Sequence, residues 1–314
     1  MPISSRPLPS LGPLHPFYRT LLLPLLALGP LGACQSLEEP TGEPFEAPEA
    51  TPADEIGYFL AEFDGSLRRW NELKLAPSSD RDRRQLRALE TNMKKRASER
   101  QEDLVTELET GPPLNRQVAA AALGFTGDPA VISALLNALD DPNAGVVQKA
   151  LLGLGRLEDP STPPGPLLEI LSSHPDPWTR NNAVYAVQRV VAAGAASEDV
   201  ATTCRAALVD PEPGVRAQAA SVLGMVRDAE SVEALGDLLQ DEVQLVYQAA
   251  ATALARIGRD HPESKGQVAR LLVQAMDEGD SGRRKRAHRE LVVLSDRDLG
   301  DEPDDWREWA YRMP

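Results

Sequence analysis

The chain has 314 residues, of which 42% are apolar and only 4% aromatic, and its 48 acidic against 33 basic side chains give a formal charge of −15. So few aromatics exclude an aromatic-rich β-sandwich or barrel and point to helices packed through Ala, Leu and Val, while the acidity argues against nucleic acid or an anionic membrane surface as a partner. Two cysteines, Cys34 and Cys204, and four scattered histidines supply neither a disulfide framework nor a cysteine-based zinc site.

Residues 1–20 carry Arg6 and Arg19 and no acid; an apolar run from Leu21 to Pro30 follows and is closed by Leu31-Gly32-Ala33-Cys34. The run is too short to span a ~30 Å hydrocarbon core as a helix. A basic start, a short apolar centre and small residues before a cut read as a secretory signal over 1–33. Leu31-Gly32-Ala33-Cys34 resembles the bacterial lipobox. That resemblance implies a diacylglyceryl group on Cys34, and two acyl chains hold a protein durably where one holds marginally. The expected location is therefore the bacterial cell envelope. Gln35 stands where an aspartate retains some lipoproteins at the inner membrane, which points to the outer membrane, facing the periplasm. Without residues 1–33 the formal charge is −17. Residues 34–52 form a predicted acidic, proline-rich tether with five Glu, four Pro and no base. Self-repulsion and proline stiffness extend it, to roughly 50 Å at about 3.1 Å per residue.

A helical N-terminal cap is predicted over 53–100. Ile56, Phe59, Leu60, Phe63 and Leu67 recur at helical spacing, and a highly charged second helix carries Leu86, Leu89 and Met93. Beyond it the chain repeats. Six segments place an alanine four residues before an apolar anchor: Ala119/Leu123, Ala150/Leu154, Ala183/Val187, Ala219/Leu223, Ala250/Leu254 and Ala287/Leu291. Fifteen or sixteen residues before each anchor stands another apolar residue, from Leu108 to Met276. The unit is thus helix A, tight turn, helix B, with Asp141-Pro142, Pro175-Asp176-Pro177 and Asp210-Pro211 in the turns. Length variation is assigned to the B-to-A loops, notably 157–165, 191–198 and 258–266. An alanine four before the anchor shares its face and lets helices approach closely. The fold class is all-α: a solenoid of about six helix pairs over 101–294, with helical caps and a C-terminal cap at 295–314.

The copy from Asp210 to Gly224, DPEPGVRAQAASVLG, resembles the HEAT-repeat family, close to the bacterial subset that includes phycobilin-lyase-like repeats. Arg116, Arg180, Arg216 and Arg284 match that family's helix-B arginine, and Asp141, Asp210 and Asp241 its turn aspartate. The resemblance implies an inter-repeat ladder, broken where Val147 and Tyr247 replace the arginine and His174 lies nearest the aspartate. The C-terminal stretch from Leu299 to Trp309 resembles a terminal segment of bacterial HEAT proteins. Trp306 and Trp309 fall one turn apart there and are read as a hydrophobic lid.

No enzyme signature appears: there is no phosphate-binding glycine loop, no HExxH and no GxSxG. Cys204 occupies a position held by leucine in other repeats and is read as a buried thiol. No enzyme activity, cofactor or metal is expected. The first functional reading is a membrane-anchored scaffold that binds a protein or extended acidic peptide, and not nucleic acid, in its groove. A structural envelope lipoprotein without a dedicated ligand, and a lyase-like or chromophore-handling enzyme, remain as alternatives. With the anchor and its alanine turned inward, the positions six, five and two before the anchor and two after it point outward. Seven of these 24 positions are basic, six are amides and none is acidic. The HEAT resemblance implies that helix B lines the concave side. Arg156, Arg189 and Arg256 occupy equivalent places, with Lys149, Gln148, Asn182, Gln218 and the aromatic Tyr185 beside them. Arginine and amide rows suit carboxylates and extended backbone.

Overall fold

The computed structural model describes residues 52–75 and 79–313; Cys34, the preceding leader and almost all of the tether lie outside them. The described residues fall in one unit, Ala50–Pro314, and contain no strand. Fifteen helices follow one another: α1 (Pro52–Leu75), α2 (Asp80–Glu99), α3 (Gln101–Thr110), α4 (Pro113–Leu123), α5 (Ile132–Asn137), α6 (Ala144–Leu157), α7 (Pro164–Ser173), α8 (Pro177–Ala192), α9 (Asp199–Ala207), α10 (Pro213–Val226), α11 (Val232–Asp237), α12 (Gln244–Asp260), α13 (Pro262–Glu278), α14 (Ser281–Ser295) and α15 (Pro303–Tyr311). From α3 to α14 they form six pairs. The odd-numbered members are the A helices and the even-numbered ones the B helices, and each pair stacks on the next in two layers.

Local chemistry sets the helix ends. Proline opens α4, α8, α10 and α15, where the missing N–H costs nothing. Asn143, Asp176 and Asp280 cap α6, α8 and α14 by accepting from backbone N–H groups two or three residues on. The short A helices α5 and α11 are each flanked by 3₁₀ turns. The long spacing near residue 260 has a different origin from a loop. α12 and α13 are each 17 residues, and only His261 separates them. Arg259 and Asp260 continue the helix, and Pro262 opens the next at once, so the extra residues lengthen helices.

Packing follows the repeat. All six anchors are fully buried, as are their alanines, with Ala287 the most accessible at 2%. The B layer is tighter than alanine alone would make it. A methyl group on Gly124 would fall 2.6 Å from the Cα of Gly153, and one on Gly224 would fall 2.6 Å from the Cα of Ala253. These small residues flank the anchors, so neighbouring B helices meet backbone to backbone. A helices meet through longer side chains, such as Leu271 over Gly236.

Both ends are sealed. At the start, α1 and α2 pack on α4. Phe63 and Trp70 set their rings edge-on to Phe125, at 6.0 and 5.4 Å between centroids. At the far end, α15 takes the place of a seventh A helix against α13. Trp306 is wholly buried there, its indole N–H donating to the Gly300 carbonyl at 2.7 Å, and the Trp309 ring stands edge-on to it at 5.7 Å.

Candidate binding face on the B helices

The outward side of the B helices has one end closed. Phe125 and Ala121, placed by their spacing on the open face, are only 6% and 8% exposed, because the aromatic cap lies over the first pair. From the second pair onward the outward positions are half-buried or exposed, except Ala217, which is 3% exposed.

The structure brings Arg156 and Arg189 together, on a residue that the helical spacing did not single out. α6 ends in Glu158, whose backbone is left-handed (φ 53°). Its carboxylate pairs with Arg189 of the next repeat and lies 3.8 Å from Arg156. Arg156 also approaches Glu90 of the cap at 3.7 Å, and its guanidinium lies 5.0 Å from the Phe125 ring centre. The Nε atoms of both arginines are buried and make no hydrogen bond. Glu158 follows the last helical residue, so only the left-handed turn swings its side chain back over the face. A pattern of helical spacing carries no signal for that turn.

The other expected residues divide into bonded and free. Gln148 donates to Asp176 at 3.1 Å and Thr179 at 3.3 Å, and Gln218 donates to Asn181 Oδ1 at 2.8 Å. Both therefore join repeats. Tyr185 lies against Gly155, where a methyl would fall 2.9 Å from its ring. Asn182 is half-buried. Lys149 and Arg256 have no ion-pair partner among the described residues, nor do Lys285 and Arg289. In the sixth pair Arg286 is held by Glu290 at 2.9 Å, another acid that the spacing argument left aside.

Below this face, along the A-to-B turns, runs a ladder of arginine forks. Arg116 donates to both oxygens of Asp141 at 2.8 and 2.9 Å, and to the Gly111 carbonyl at 2.8 Å. Arg180 does the same to Asp210, at 2.8 and 2.9 Å, and to the His174 carbonyl at 3.0 Å. Arg216 grips Asp241 at 2.8 Å and the Asp210 carbonyl at 2.8 Å. Each aspartate also accepts from the backbone N–H two residues on, at 2.8 Å. One rung thus locks its own turn and the next. The Arg116 fork holds the Asp141 carboxyl below its ordinary value against the upward push of burial. At Asp210 burial pushes upward, and Arg180 with the Glu212 N–H outweighs it, leaving a lowered value. The ladder breaks where the arginine is missing. Val147 is buried in place of one arginine, and there the Gln148 amide bridges to Asp176 and Thr179; Tyr247 lies under the Arg283 guanidinium at 5.1 Å.

The HEAT-repeat family model matches residues 102–188, 163–255 and 200–292, more than half of the chain. The chain belongs to the HEAT-repeat family. Comparison with curated proteins gives no match. Among solved structures, an archaeal HEAT-like repeat protein from Thermococcus onnurineus NA1 is 18% identical over 72% of this chain and 97% of its own, with a TM-score of 0.47. A designed armadillo repeat protein in complex with the peptide (KR)4 is 17% identical, covering 61% of this chain and 98% of that one, with a TM-score of 0.47. An engineered protein is 21% identical over 62% and 96%, also at 0.47.

Cys204 is fully buried, and burial pushes its thiol up to about 12. Among the described residues, no group of three or more His, Cys, Asp and Glu is arranged to hold a metal ion. Nor is any described helix long and apolar enough to cross a membrane.

Proposed function

We propose that this HEAT-repeat protein is a non-enzymatic scaffold of the bacterial cell envelope, anchored by lipid on Cys34, whose B face holds an extended acidic segment of a partner protein. The observation that carries the reading is the charge of that face. Its 24 outward positions include no acid in a chain of net −15, and Lys149, Arg256, Lys285 and Arg289 have no ion-pair partner among the described residues. Screening beyond about 8–10 Å confines the contest for a carboxylate to the face itself. Glu158 is the chain's own example of a carboxylate seated there, taken by Arg156 and Arg189 from adjacent repeats.

Glu158 makes the test sharp, because a non-glycine residue in the left-handed region costs about 1–3 kcal/mol. Glu158→Gly removes the internal carboxylate and relieves that backbone. It is expected to bind a fluorescent glutamate-rich peptide more tightly than wild type, with affinity falling as salt rises. Arg156→Glu with Arg189→Glu is expected to abolish binding. If both variants bind like wild type, the charged-face reading is wrong.

A further inference from the structure

The B face continues past its amide rows. Nine residues before the anchor, a helix has turned to the side opposite the anchor, and there the six repeats read Leu114, Gly145, Trp178, Gly214, Leu245 and Gly282. Large apolar residues and glycines alternate. The three large ones are 74%, 68% and 59% exposed in chain order. Burial of the core does not account for them, and their common register sets them apart from scattered surface apolar residues. The glycines between them are crowded from the preceding repeat. A methyl on Gly145 would fall 2.7 Å from the Gln117 amide, and one on Gly214 would fall 2.5 Å from Asn181 Oδ1. Amides therefore close over bare backbone in the second and fourth pairs, between the apolar side chains. The face is thus polar across its width: an apolar rim at the helix starts, amides in the middle, and cations at Lys149 and towards the helix ends at Arg256.

We propose that Leu114, Trp178 and Leu245 form an apolar rail that takes the apolar side chains of an extended, acidic partner segment, whose carboxylates face the cations. The inference rests on the charged-face reading above and adds the partner's pattern. Packed helices lie 8–10 Å apart, so every second repeat is about 16–20 Å on. An extended chain rising about 3.3 Å per residue covers that in five or six residues, and only the even separation keeps side chains on one side of a strand. The partner motif is an apolar residue at every sixth position with acids between. A basic partner is disfavoured by the unpaired cations and by the lack of any acid among the outward positions. A membrane is disfavoured because an anionic bilayer repels a chain of net −15.

The test uses the full chain and three synthetic peptides: a glutamate-rich one with leucine at every sixth residue, the same with serine for leucine, and a lysine-rich version of the first. Burying one leucine side chain contributes about 1.5–3 kcal/mol, so the leucine–glutamate peptide should bind at least about tenfold tighter than its serine counterpart. Trp178→Ala with Leu245→Ser should erase that advantage and leave the serine peptide's affinity unchanged, while Trp178→Phe should restore it. Both substituted residues are exposed, so the fold is not at stake. Equal affinity of the leucine and serine peptides, or an advantage that survives the double variant, overturns the rail and leaves the charged face standing. Failure of both glutamate peptides to bind wild type overturns the charged face, and the rail with it. Tighter binding of the lysine peptide, or competition by phosphatidylglycerol vesicles, overturns the choice of occupant.

Discussion

At the scale of single residues, small side chains set how closely the B helices approach. Ala219 is fully buried, and Ala219→Leu is expected to cost about 1–3 kcal/mol through overpacking, read as a drop in thermal midpoint. The face position next to it, Gln218, would by spacing alone tolerate leucine freely. Its hydrogen bond to Asn181 makes Gln218→Leu cost about 1 kcal/mol instead. A larger loss at Gln218 than at Ala219 would contradict the helical register. The anchors and alanines were legible because a 3.6-residue period shows which residues share a face. The contact of Gly124 with Gly153 was not, because it depends on where two helices cross. Glu158 was hidden for a related reason: it acts from a turn, outside the period.

Among elements, the arginine forks decide how one pair holds the next. Asp210 has 10% of its side chain exposed and takes two charge-assisted bonds from Arg180. Asp210→Ala is expected to cost about 1.5–3 kcal/mol, measured by urea unfolding at neutral pH. The forks also give a pH dependence of known sign. Asp141 and Asp210 are lowered from an ordinary 3.8, so their contribution is complete above that value and disappears as pH falls through the depressed one. The stability difference between wild type and Asp210→Ala should therefore shrink on acidification below about pH 4; a constant difference would show that the fork is not the source. The rungs were legible through the resemblance to HEAT repeats, which matches Arg116, Arg180 and Arg216 to that family's helix-B arginine and Asp141, Asp210 and Asp241 to its turn aspartate. The long α12 and α13 were not, because the same spacing between anchors fits either a loop or two longer helices.

For the whole molecule, the proposed lipid site at Cys34 precedes the stack in the sequence. Cys34→Ser is expected to leave the protein unprocessed or soluble, tested by membrane fractionation and the mass of the mature chain. A variant that partitions with membranes and shows the same mass as wild type would refute lipid attachment at Cys34. In a stack whose members touch only their neighbours, any pull between a tethered end and a bound partner passes through every joint in series. Two joints lack a fork; Arg283 and Arg286 donate across the one between the fifth and sixth pairs, so the joint between the second and third pairs is the more compliant. Buried Val147 replaces its fork, and the two sides are held by the Gln148 amide on Asp176 and by the exposed pair of Arg189 with Glu158. Load should first part α6 from α8, at a force that falls with added salt. Installing a fork there with Val147→Arg and His174→Asp should raise the first rupture force in single-molecule stretching, and an unchanged force would place the weak link elsewhere. A scaffold that yields at this joint can lengthen under tension while the pairs from α9 to α14, with Arg256, Lys285 and Arg289, stay together.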